Sequence, residues 1–227
     1  MKARRRIALY GGTFDPVHIG HLSVARALLK LFVLDEIVFI PAHVAPHKRY
    51  REVSPGLQRY AMLALATQAE AKMLVSTVEL EAPEKPYTVE TLARMKEKYG
   101  RDVQLFFIMG ADSWTDIETW REWERVLQAT NHIVMTRPGY DLDAAHVTPE
   151  IRARVVDLRG ASEESIARTV EESETEKIYV TDAVQMDVSA TTVRQLVGAG
   201  HTQEWRTLVP QPVAEFIGKY RLYRDKA

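Results

Sequence analysis

The chain has 227 residues, 46% of them hydrophobic and 27% charged, a length and composition that suit one soluble globular domain with a large core. Thirty basic against thirty-one acidic side chains give a formal charge of −1, which excludes a global positive field for nucleic acid or an anionic membrane and makes any anion selectivity local. Zero cysteines exclude disulfides, thiolate metal sites and a cysteine nucleophile, and suit the reducing cytoplasm.

Lys2, Arg4, Arg5 and Arg6 precede an apolar run too short for an export signal or a membrane span. That run, residues 7–10, reads as a buried strand, and Leu22, Ala25, Leu28, Leu29 and Phe32 then recur at helical spacing. Between them lies Gly11-Gly12-Thr13-Phe14-Asp15-Pro16-Val17-His18-Ile19-Gly20-His21, a strand-to-helix corner. Paired glycines let backbone approach a ligand, and the helix start offers N–H donors and a positive dipole end to phosphate. His18 and His21, three apart, can both point at a phosphoryl group gaining charge. A metal role for the pair would need a third ligand, and only Asp15, followed by Pro16, lies near.

A second strand is expected at 36–40, followed by a loop, 41–49, in which His47 and Lys48 are either solvated or a phosphate clamp. A helix should begin near Ser54-Pro55, with Leu57, Tyr60, Ala61, Ala64 and Leu65 as its buried stripe. An extra strand is expected at 75–80 and a helix from Thr88 to Tyr99, stopped by Gly100. The strand at 103–109 runs into Gly110-Ala111-Asp112, where Asp112 is either a helix cap or a ribose ligand.

Trp114, Trp123 and Trp205 read as packing residues. A fourth strand at 132–136 should bury His132 and end at Arg137-Pro138-Gly139, while His146 and His201 should be surface residues. Residues from about 140 to 176 break the rhythm, turn acidic, and read as a peripheral insertion with a solvated face. After a strand at 178–180, Ser189-Ala190-Thr191-Thr192-Val193-Arg194 opens a helix with Val193, Leu196 and Val197 as its stripe. Ser189 is a natural N-cap, and Arg194 can reach phosphate oxygens as a planar fork. A last helix, with Val213, Phe216, Ile217 and Tyr220 on one face, should pack against the sheet. Alternating strands and helices predict an α/β fold with an open parallel sheet whose ligands sit at the carboxyl ends of the strands.

The segment G-G-T-F-D-P-V-H-I-G-H resembles the H-x-G-H signature of the nucleotidyltransferase superfamily, in the form found in bacterial nicotinate-nucleotide adenylyltransferases. Pro86-Tyr87-Thr88-Val89-Glu90-Thr91-Leu92, Gly110-Ala111-Asp112 with Trp120, Arg137-Pro138-Gly139 and Ser189-Ala190-Thr191-Thr192-Val193-Arg194 follow in the order of that family's motifs, with Ala190 where the family pattern has a second serine.

The resemblance implies a Rossmann-like single domain that transfers the adenylyl group of ATP to nicotinate mononucleotide, giving deamido-NAD and pyrophosphate. It makes His18 and His21 catalytic. It assigns ATP to Gly11, Gly12, Thr13, Phe14, His47, Lys48, Gly110, Asp112, Ser189, Thr191 and Arg194, and nicotinate mononucleotide to Tyr87, Thr88, Trp120 and Arg137. The nicotinate carboxylate would be met chiefly by backbone N–H groups. Mg2+ would arrive with ATP, held by phosphate oxygens and water.

Alternatives within the class are adenylylation of nicotinamide mononucleotide or of phosphopantetheine, or cytidylyl transfer, and the segments at 86–92 and Trp120 speak against the last two. A non-catalytic nucleotide sensor on the same fold is the alternative outside it. Small molecules are the expected partners, with no nucleic acid and no membrane, and a homo-oligomer is left open.

Overall fold

Residues 5–12 alternate so that Ile7 and Leu9 face one side and Ala8 and Tyr10 the other, each of them buried, and this two-sided burial makes the segment a central strand. The computed structural model of the chain describes residues 4–43, 53–136, 144–173, 175–183, 188–200 and 203–224. Among the described residues seven strands form one parallel sheet: β1 (Arg5–Gly12), β2 (Glu36–Pro41), β3 (Met73–Val75), β4 (Val103–Gly110), β5 (Asn131–Met135), β6 (Val155–Asp157) and β7 (Ile178–Thr181). Their order is β3-β2-β1-β4-β5-β7-β6. The order reverses between β1 and β4, which pair from Arg5↔Val103 to Tyr10↔Ile108, and a parallel sheet opens its ligand crevice at such a switch point.

Helices cover both faces. One face packs on α1 (Ile19–Leu31), α2 (Gly56–Thr67), α7 (Glu163–Glu172), α8 (Ala190–Gly198) and α9 (Gln211–Tyr220). The other packs on α3 (Thr88–Tyr99), α4 (Ala111–Thr115), α5 (Trp123–Ala129) and α6 (Pro149–Arg152). The Rossmann-like open sheet expected from the alternation is what forms. Helix α3 has the expected bounds, and Gly100 ends it at φ +74, where a side chain would be strained. No helix of the described residues is long and apolar enough to cross a membrane.

Several expectations need correction. The buried face of α2 is Arg59, Met62, Leu63 and Ala66, while Leu57 is 74% exposed and the other stripe residues are half-buried. The helix is rotated because Arg59 turns inward, a choice an apolar-stripe rule cannot anticipate. Strand β3 ends at Val75, and residues 78–81 form a turn rather than the expected strand.

Within the stretch expected to be solvated, β6 pairs with β7 at the sheet edge and α7 buries Ile166 and Val170 beside α1. Its surface is acidic as expected, but its inner face belongs to the core. Helix α9 buries Val213, Ala214 and Ile217 against α2 more than against the sheet. His146, expected on the surface, is half-buried, its Nε2 3.0 Å from the Trp114 carbonyl. His132 is fully buried, as expected.

Candidate active site

The corner after β1 is built around a glycine that cannot be replaced without moving an aromatic ring. A Cβ on Gly12 would lie 2.9 Å from the Phe14 ring, and Phe14 itself adopts φ +49 to fold that ring back over the strand end. The Phe14 ring meets Tyr10 edge-on at 5.5 Å and His21 at 5.0 Å. One side of the His21 imidazole is thereby fixed by apolar packing.

His18 caps α1 in extended conformation, and its ring lies 3.7 Å from that of His21, the planes tilted by 32°. The spacing of three has brought the imidazoles face to face. The His18 backbone N–H donates to His21 Nδ1 at 3.2 Å, so a neutral His21 carries its proton on Nε2. Burial pulls the His18 pKa down to about 4, and burial together with the neighbouring His18 holds His21 well below the ordinary histidine value. Both rings are neutral at pH 7, each offering one N–H. His18 Nδ1 is buried and has no hydrogen-bond partner among the described residues.

Two arginines and a tyrosine hold this corner. The Arg59 side chain, 1% exposed, donates from Nη1 to the Thr13 carbonyl at 2.8 Å, from Nη2 to the Ala42 carbonyl at 2.7 Å and from Nε to the Ser54 carbonyl at 2.9 Å. One guanidinium thus pins the chain after β1, after β2 and before α2. Asp15 accepts from the Tyr223 hydroxyl at 2.7 Å and the Ser54 N–H at 3.1 Å, while its carbonyl accepts from Arg194 Nη1. Glu79 completes the surround, accepting from Thr91 Oγ1 at 2.9 Å and the His43 N–H at 3.2 Å; burial raises its pKa. None of Arg59, Glu79 and Tyr223 was foreseen; the available signal for Arg59 was a lone arginine on an otherwise apolar helix.

The other predicted ATP residues fall around the same crevice. Gly110 closes β4 and takes the N-cap position of α4, so Asp112 lies inside the first turn, exposed, and is not the cap. Ser189 caps α8 by accepting from the Thr192 N–H at 3.1 Å. Arg194 bridges Asp15 to Thr191 Oγ1, the latter at 3.1 Å, and so joins the start of α8 to the corner after β1. The Ile19 N–H, one of the donors at the start of α1, is already bonded to the Leu208 carbonyl at 2.9 Å. His47, Lys48 and Arg137 lie outside the described residues.

Tyr87, Thr88 and Trp120 come together at a second place, lining a cavity of about 180 Å³ where the start of α3 faces the chain after α4. Trp120 is half-buried, its ring edge-on to Phe107 at 6.4 Å. The cavity therefore has an aromatic wall and a helix N-terminus on it. Among the described residues no group of three or more His, Asp or Glu side chains could hold a metal ion.

Residues 9–196 match the family described as cytidylyltransferase-like. The chain is 34% identical over 224 residues, 99% of its length and 97% of the relative's, to a protein of Thermoanaerobacter sp. (strain X514) named "Probable nicotinate-nucleotide adenylyltransferase". A protein of the same name from Corynebacterium glutamicum is 33% identical over 226 residues, 100% of this chain and 92% of that one. Among solved structures, Plasmodium falciparum nicotinic acid mononucleotide adenylyltransferase complexed with NaAD superposes with a TM-score of 0.68 over 96% of this chain and 97% of that one, at 20% identity. That likeness carries the fold.

Proposed function

The chain belongs to the nicotinate-nucleotide adenylyltransferases, within the cytidylyltransferase-like family, and we infer that it transfers the adenylyl group of ATP to nicotinate mononucleotide, forming deamido-NAD and releasing pyrophosphate. It is an enzyme of NAD biosynthesis. The observation that carries the site assignment is the neutral, stacked His18–His21 pair at the carboxyl end of β1, beside the switch point of the sheet.

The mononucleotide's phosphate is already an anionic nucleophile, so in-line attack on the α-phosphorus needs no covalent enzyme intermediate and no strong base. The site has to align two anions and meet the charge that develops on the transferring group. His21 Nε2–H is the donor we assign to that charge; its ring packs on Phe14 and its other nitrogen accepts from the His18 N–H. His18 Nδ1, unpartnered among the described residues, supplies the second position. A neutral imidazole is a suitable donor in this place: it binds the ground-state triphosphate weakly and strengthens its bond as the phosphoryl oxygens gain charge.

Asp112 stands at the end of β4 to accept from the ATP ribose. Arg194 and the α8 start, together with His47 and Lys48, are assigned to the β- and γ-phosphates, and Arg137 to the mononucleotide phosphate. Magnesium would be carried by the triphosphate and held by its oxygens and water; among the described residues no group of three or more His, Asp or Glu could hold it, and Asp15, 3% exposed, is engaged by Tyr223 and Ser54. Tyr87, Thr88 and Trp120 take the pyridine ring, Trp120 by its face. The cysteine-free composition suits the cytoplasm, where we place the protein.

The test is pyrophosphate release with ATP and, separately, nicotinate mononucleotide, nicotinamide mononucleotide and phosphopantetheine. Preferred use of nicotinate mononucleotide supports the reading. Equal or better use of either competitor, or ATP binding without turnover on any of them, overturns it.

A further inference from the structure

Resting on that reading, we propose that Arg121 is a specificity-determining residue, a side-chain cation that selects the ring carboxylate of nicotinate over the neutral amide of nicotinamide. Backbone N–H groups and the dipole at the start of α3 already favour a carboxylate, which offers two charged acceptors where the amide offers one neutral oxygen and an NH2 donor. A side-chain cation beside the ring adds a full positive charge to that preference.

The geometry points to Arg121. Trp120 turns out of a 3₁₀ turn (Ile117–Thr119) into extended backbone, its N–H bonded to the Ile117 carbonyl at 2.9 Å. That places the side chain of Arg121 back across the cavity mouth, where its guanidinium carbon lies 4.6 Å from the Tyr87 ring centroid. Tyr87 and Trp120 line the same cavity, so a planar ring seated there has the guanidinium at its rim. Stacking on Tyr87 leaves the edge N–H groups of the fork available to a carboxylate, in the bidentate manner that an ammonium cannot reproduce.

The charge balance of the cavity agrees. Arg121 and Lys85 line it, and the N-terminus of α3 adds the positive end of its dipole. No carboxylate is among its lining residues. The nearby acids are engaged: Glu90 accepts from the Tyr87 N–H at 3.0 Å, and Glu122 accepts from Arg125 Nη1 while pairing with Arg121 Nε at the longer distance of 3.9 Å. The Arg121 side chain is 55% exposed, so it can swing to a ligand without breaking the core.

The experiment is calorimetric titration of the full chain, and of its Arg121→Gln and Arg121→Lys variants, with nicotinate mononucleotide and with nicotinamide mononucleotide. Arg121→Gln is expected to weaken the acid by about three- to fivefold, the upper part of the range for a solvent-screened charge pair. Binding of the amide should stay within about twofold, and Arg121→Lys should recover part of the loss. An unchanged acid-to-amide ratio in Arg121→Gln, with a parent protein that binds and turns over the acid, overturns the role of Arg121 alone. Equal loss of both ligands overturns it too, as a structural effect. A parent that binds neither overturns the assigned reaction and this inference together.

Discussion

The hydroxyl of Tyr223 donates to the Asp15 carboxylate at 2.7 Å across a sequence separation of 208 residues, so the far end of the described chain is fastened to the turn that carries His18 and His21. Burial and the adjacent Asp15 raise the Tyr223 pKa, which keeps the phenol protonated and donating. Tyr223→Phe leaves Asp15, 3% exposed, with the Ser54 N–H as its remaining side-chain partner. The cost should be about 1–3 kcal/mol in urea denaturation, with a raised KM for ATP and a smaller change in kcat. Unaltered stability together with an unaltered KM would show that the tether holds nothing.

Arg59 should matter more, since one side chain closes three segments. Arg59→Met keeps the bulk but strips the donors from the Thr13, Ala42 and Ser54 carbonyls, and should destabilise by about 3 kcal/mol. Arg59→Lys should recover little, because three donors on one nitrogen cannot reach carbonyls spread around a planar fork. Thermal denaturation of both variants checks this, and a fully stable lysine variant would refute the fork argument.

His21→Gln and His21→Asn separate the two nitrogens of that ring. With Nδ1 accepting from the His18 N–H, the donor to substrate is Nε2, and a glutamine amide nitrogen can be placed nearer that position than an asparagine one. The glutamine variant is expected to keep roughly tenfold more turnover than the asparagine variant. The reverse order in pyrophosphate release would assign the donor to Nδ1.

Acid should unfold the protein through its neutral histidines. His18 and His132 have folded pKa values of about 4 and about 3, both below the ordinary 6.5, and burial is the main cause in each. Between those values and 6.5 the unfolded chain binds the extra protons, so the stabilising term is complete above pH 6.5 and lost as pH falls through the window. Each group contributes a slope of at most about 1.4 kcal/mol per pH unit. Denaturation midpoints should fall from pH 7.5 to pH 5, and His132→Leu should show a shallower fall. An identical slope in that variant would remove His132 from the account.

What the sequence disclosed was what lies close along the chain. Gly12, His18 and His21 sit within one turn and its helix, so their spacing alone put the imidazoles side by side, and Tyr87, Thr88 and Trp120 were found through two short motifs. Arg59, Glu79 and Tyr223 were silent because most of their partners are brought to them only by the assembled sheet and its helices. The same packing decides which side of α2 faces inward, and an inward arginine defeats a reading of apolar periodicity. β3 was expected at 75–80, beyond where it ends, and β6 was missed, because strands of three residues leave too little alternation to read. The core face of α7 was hidden by the acidic residues around Ile166 and Val170.

The most direct test of the paired-imidazole account is single-turnover pyrophosphate release by His18→Ala, measured beside its equilibrium affinity for ATP. The account predicts a fall in the chemical rate of about 10²–10³-fold with ATP affinity changed only a few-fold, because the bond strengthens in the transition state. A near-normal rate, or a loss of rate matched by an equal loss of ATP binding, would contradict it.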